Sequence, residues 1–102
     1  MKIAISSQNR RSVTAHAGRC RRFWLYDVRE GGTVAARELV ELDKSQTLHE
    51  LAPEIPDALR SVDVLLSAGM CDRLVARLGR YGISARQTDC SDPESALRAF
   101  LA

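Results

Sequence analysis

The sequence predicts an α/β domain: a mixed, mostly parallel five-stranded sheet with helices on both faces, in the order βββαβαβα. Three observations carry this expectation. Residues 62–67 read VDVLLS, a short and almost wholly apolar run suited to a strand covered on both faces. Residues 71–80 follow at once, with Cys71, Leu74, Val75 and Leu78 at helical spacing and Asp72, Arg73, Arg77 and Arg80 opposite them. Two strand–helix–strand units after a glycine-marked hairpin then require parallel pairing, because each helix carries the chain back to the start of the next strand.

In chain order, residues 2–6 form a first buried strand around the β-branched Ile3 and Ile5. After a polar loop, residues 22–29 form a second strand. Phe23 and Leu25 point to one face and Trp24, Tyr26 and Val28 to the other, so both faces are covered. Glu30-Gly31-Gly32 is a hairpin turn, since paired glycines tolerate positive φ, and residues 33–42 return as an edge strand bearing Arg37, Glu38 and Glu41. Pro53 and Pro56 exclude one long helix over residues 43–61; a turn over 47–52 and a short helix over 54–60 are expected. The amphipathic helix over 71–80 closes at Gly82. A polar strand over 83–88 follows, then a last helix through Leu101, opened by Ser91-Asp92-Pro93-Glu94 with its capping residue, early proline and glutamate in capping-box position.

A chain of 102 residues is one domain over 1–102, able to bury roughly two-thirds of the surface its unfolded form exposes. The first apolar run is too short for a signal peptide and none reaches the length of a membrane span, so a cytoplasmic location is expected. The 3 cysteines, Cys20, Cys71 and Cys90, are an odd number without CxxC spacing, which indicates reduced thiols rather than a disulfide framework or zinc knuckle. Charge is unevenly spread. Residues 1–22 hold Lys2, Arg10, Arg11, Arg19, Arg21 and Arg22 and no acid, whereas the remainder is acidic on balance. Such a loop either attracts an anion or is simply a solvated basic surface.

The segments KIAISSQN, VTAHAGRCRRFWLYDV, RELVEL, VDVLLSAGM and DPESALRAFL together resemble the dinitrogenase iron-molybdenum cofactor biosynthesis family across nearly the whole chain. The resemblance implies a ribonuclease-H-like topology and a role as carrier or binder of an iron-molybdenum-cofactor-like metal–sulfur cluster. The His-Phe-Gly motif of the family corresponds to His16, Ala17 and Gly18, where histidine and glycine match and the aromatic does not. A later glycine-rich signature matches at Gly69, with Cys71 standing at a usual glycine.

His16 can reach a metal through a neutral imidazole, or it is an exposed loop histidine. Gly18 permits close backbone approach. Cys20 is either a soft ligand, its thiolate favoured by the arginines around it, or a small apolar filler. Cys71 either uses the amide dipoles of a helix start or is buried on the apolar stripe. If the first and fourth strands are parallel neighbours, the His16 loop and the Gly69-Met70-Cys71 turn meet outside their carboxyl ends. By the same resemblance His49, in the irregular segment before the first expected helix, is a candidate lid ligand, and Arg19 with the other loop arginines would neutralise an anionic cluster. Cluster-donor and cluster-acceptor proteins are the expected partners. No P-loop, GxGxxG, GxSxG or HExxH is present, and the first strand lacks the acids ribonuclease H chemistry needs, so no enzymatic activity is expected. The alternative is a nucleic-acid-binding module in which Arg10 to Arg22 track phosphates and Trp24 or Tyr26 stacks on a base.

Overall fold

A computed structural model describes residues 1–102. Five strands, β1 (Lys2–Ser6), β2 (Arg22–Val28), β3 (Val34–Glu41), β4 (Val64–Ser67) and β5 (Ser84–Gln87), form one sheet in the order β3-β2-β1-β4-β5. The β1–β2 and β2–β3 pairs are antiparallel; β1–β4 and β4–β5 are parallel. Two α-helices, α1 (Asp72–Arg80) and α2 (Pro93–Leu101), cover opposite faces.

Alternation along the strands builds the two cores. On one face Ala4, Phe23, Leu25 and Leu65 pack with Leu74 and Leu78 of α1 and with Leu48, Ile55 and Leu59 from the segment before β4. On the other, Ile3, Ile5, Tyr26, Val28, Val64 and Leu66 pack with Ala96 and Leu97 of α2. The expected α/β class with a five-stranded mixed sheet and helices on both faces is the fold observed, but the sheet is not mostly parallel: two pairs are parallel and two antiparallel, because β1, β2 and β3 meander before the chain crosses over to β4.

Residues 43–61 differ from expectation. In place of a helix over 54–60 there are two 3₁₀ turns, Lys44–Gln46 and Asp57–Leu59. Pro53 and Pro56 each lack an N–H and push the preceding residue out of the helical region, so a helix over 54–60 cannot run through Ile55. The βββαβαβα order therefore loses its first helix. Residues 47–56 instead form a strap whose Leu48 and Ile55 are 0% and 2% exposed and anchor it to the core.

The terminators act as read. Gly31 and Gly32 have φ of 86° and 84° and turn the chain between β2 and β3, while Gly82 with φ 79° ends α1. At α2 the cap is Asp92, whose carboxylate accepts from the backbone N–H of Ser95 at 3.0 Å. This moves Glu94 out of the capping-box position. Its carboxylate instead accepts from Tyr26 Oη at 3.3 Å and Arg37 at 2.9 Å, tying α2 to β2 and β3.

Candidate functional site

Two buried serines position the loop after β1. Ser6 and Ser67, both 0% exposed, end the adjacent parallel strands β1 and β4. Their hydroxyls donate to the same acceptor, the Thr14 carbonyl, at 2.8 and 2.9 Å. Thr14 N–H returns a bond to Ser6 O at 2.9 Å, and Ala17 N–H donates to Gly69 O at 3.3 Å. A buried hydroxyl without a partner would be costly, so these bonds fix the register of the loop against both strand ends. His16 thereby stands beside the Gly69-Met70-Cys71 turn, at the carboxyl end of the sheet where the sequence places it.

His16 has φ 58° and ψ 54°, left-handed backbone for a non-glycine residue, and starts the 3₁₀ turn Ala17–Arg19. Neither Gly18 nor Gly69 has positive φ. A Cβ on Gly18 would lie 3.9 Å from His49 Cβ and Leu74 Cδ2, an ordinary contact, so Gly18 reads as part of the wall rather than a conformational requirement.

Between the His16 loop, the strap and the amino-terminal part of α1 lies a cavity of about 860 Å³, within the size range of ligand sites. His16, Gly18, Arg19, His49, Gly69, Met70 and Cys71 all line it. Arg73, Arg77 and Arg80 line it from α1, and no aspartate or glutamate does. Four guanidinium groups without a carboxylate, next to the positive end of a helix, make a site for an anion.

The structure separates the two candidate thiols in the opposite sense to the periodicity. Cys71 is the N-cap of α1 and exposed, because the helix begins one residue later and the cap faces the cavity rather than the core. Cys20 does not line the cavity. It is 2% exposed within the core, and its Sγ donates to Arg22 O at 3.0 Å. Burial pushes the Cys20 thiol up from its ordinary value, and backbone hydrogen bonds together with the Arg22 charge offset this only in part, so of its two readings the small apolar filler, not the arginine-favoured thiolate, is the outcome. Of the four candidate ligands, His16, His49 and Cys71 share the cavity, yet no three of the His, Cys, Asp and Glu side chains are close enough to hold one metal ion.

The basic loop divides likewise. Only Arg19 of its arginines lines the cavity. Arg21 Nε donates to Leu42 O at 2.9 Å, and Arg22 pairs with Glu41 at 3.1 Å and donates to Gln8 O at 2.9 Å, holding β2 to its neighbours. Stacking positions for a base are occupied. Arg37 lies 4.7 Å over the Trp24 ring, whose Nε1 donates to Arg10 O at 3.2 Å, and Tyr26 is 1% exposed with its hydroxyl pushed up to about 12, chiefly by burial.

The sequence reading puts Arg73, Arg77 and Arg80 on the polar face of α1 without assigning them to the site, and of the strap it assigns His49 alone. A signal was present: arginines at i, i+4 and i+7 form one stripe of α1 with Asp72 as the helix's one acid, too few to neutralise it.

The sequence matches the family described as dinitrogenase iron-molybdenum cofactor over residues 1–102. No curated protein matches it. A crystal structure described as PH0822 is similar with a TM-score of 0.79 and 22% identity, covering 99% of this chain and 90% of that one. An NMR structure from Thermotoga, described as a NifB-like protein of the DUF35 family, is similar with a TM-score of 0.71 and 23% identity, covering 98% and 86%. At these identities the two structures speak to the fold.

Proposed function

Because the chain belongs to the dinitrogenase iron-molybdenum cofactor family, a role in handling that class of cofactor follows, and we propose that it acts as a non-catalytic carrier of an anionic metal–sulfur cluster. The observation that carries this reading is the cavity with four arginines, two histidines and an exposed cysteine and no carboxylate in its wall. A cluster is polyanionic and soft. The arginines would donate charge-assisted hydrogen bonds to its sulfides or to oxygen ligands on it. His16 and Cys71 would face its metal atoms from the loop and the helix cap, and His49 from the strap.

With no three converging donors, the cluster would arrive assembled and be held by few metal bonds and several hydrogen bonds. That suits reversible loading from a cluster-donor protein and delivery to an acceptor. No helix is long and apolar enough to cross a membrane, and we place the carrier in the cytoplasm. The buried Tyr26 and the covered Trp24 leave the nucleic-acid alternative without a stacking surface.

The test is anaerobic reconstitution followed by gel filtration, with metal and sulfide counted per chain and absorption recorded between about 300 and 600 nm. The protein should retain cluster, and His16→Ala with Cys71→Ser should lose most of it while circular dichroism stays unchanged. Full retention by the folded double variant would remove the ligand assignment, and no retention by the parent protein would remove the carrier reading.

A further inference from the structure

The strap forms one wall of the cavity, and little holds its backbone there. Between the buried Leu48 and Ile55, residues 49–54 are mostly exposed. Most hydrogen bonds of this stretch stay within the strap, such as Leu51 N–H to Thr47 O and Glu54 N–H to Leu51 O. Its ties outward are His49 N–H to Gly18 O at 2.7 Å and two bonds from one side chain, Arg77, which donates through Nη2 to Leu48 O at 2.7 Å and through Nη1 to Glu54 O at 3.1 Å. Arg77 therefore grips both ends of the exposed stretch from α1, while itself lining the cavity.

We propose that Arg77 is a latch that couples the charge of the cargo to the position of the strap, so that an anion in the cavity closes the strap and its departure frees it. This rests on the carrier reading above and adds the regulation of the same site. A guanidinium carries five N–H donors in one rigid plane, and the strap uses two of them. The others are available to an anion in a cavity that offers them no carboxylate. An anion accepting from that plane holds it in the orientation that also reaches Leu48 O and Glu54 O. With the cavity empty, the bonds to those two carbonyls are the hydrogen bonds that hold the guanidinium against rotation into water. The ligand thus favours the closed arrangement by its differential affinity. His49 rides on the strap, so closure also brings a second imidazole over the cargo.

Amide hydrogen exchange of the strap, read with and without tetrathiomolybdate as an anionic metal–sulfur probe, tests this. In the parent protein the probe should slow exchange at His49, Leu51 and Glu54 about tenfold. In Arg77→Gln, exchange there should be about tenfold faster without probe, since two charge-assisted bonds are lost, and the probe should no longer slow it. Arg80→Gln, from the same cavity wall, should weaken probe binding but leave strap exchange without probe as in the parent. Exchange of the β1 and β4 amides reports folding. Should Arg77→Gln fold poorly, Arg77→Lys retains the charge without the planar fork and should show the same loss of coupling. Unchanged strap exchange in the folded Arg77 variants would overturn the latch. Probe binding to the parent without slower strap exchange would overturn the coupling alone, whereas no probe binding to the parent would sink the carrier reading and the coupling together.

Discussion

At the scale of single residues, the two cysteines show how little chemistry a residue type carries until its surroundings are known. Cys20 sits in the core with its thiol bonded to Arg22 O, and Cys71 caps α1 on the cavity. Cys20→Ser keeps a donor for that carbonyl but places a smaller, more polar group among apolar neighbours. It should cost about 1 kcal/mol or more, which for a domain of this size lowers the melting temperature by roughly 4–8 °C. Cys71→Ser should stay within about 0.5 kcal/mol of the parent, as exposed substitutions do. A thiol reagent at neutral pH should modify Cys71 rapidly and Cys20 only on unfolding, with peptide mass mapping to identify the site. Rapid modification of Cys20 in the folded protein would contradict its placement. Sequence spacing could not separate the two, because a helical stripe that includes position 71 assumes the helix has already begun there.

At the scale of elements, the last helix was legible to within one residue of its cap, which is Asp92 rather than the Ser91 that a capping box with Glu94 requires, and the cap has a pH signature. Hydrogen bonds from Ser95, its side chain first and its backbone N–H second, hold the Asp92 carboxyl below its ordinary value of 3.8. A lowered folded value means that the contribution is complete above the ordinary value and fades as pH falls through the folded one. Asp92→Ala should therefore melt below the parent at pH 7, and the gap should close on acidification below about pH 3.8; a gap that persists under strongly acidic conditions would assign the effect to something other than the charged cap. The strands were legible for related reasons. β1, β2 and β4 alternate or run apolar over lengths that exclude helices, and Gly31-Gly32 marks the turn between β2 and β3. The strap was not legible as a wall of the site. Its prolines announce a break in helix, its anchors Leu48 and Ile55 stand seven residues apart as they would on a helix that those prolines forbid, and its position comes from Arg77 and from the Gly18 carbonyl, both distant in sequence.

At the scale of the whole molecule, the basic amino-terminal stretch and the basic cavity are different things. Of the loop arginines only Arg19 reaches the cavity, and the rest of its charge comes from Arg73, Arg77 and Arg80, about sixty residues later in the chain. Periodicity tells which residues of α1 face away from the core, not what stands across from them, so this convergence was beyond the sequence. It predicts that position rather than net charge governs affinity. Arg19→Gln with Arg73→Gln and Arg10→Gln with Arg11→Gln each remove two positive charges from a chain of formal charge +2. The second pair lies outside the cavity wall, and Arg10 contributes its carbonyl rather than its side chain to Trp24. Exposed charges are screened beyond about 8 Å at physiological salt, so the Arg10/Arg11 pair should change tetrathiomolybdate affinity less than about threefold. The Arg19/Arg73 pair removes charge-assisted donors at the site itself and should lower affinity at least tenfold, with a shallower dependence on salt than the parent. Equal losses in the two double variants would make the anion preference a property of the whole protein's field. No loss in either would leave charge without a part in binding, and the cavity would then have to select its cargo through His16, His49 and Cys71 alone.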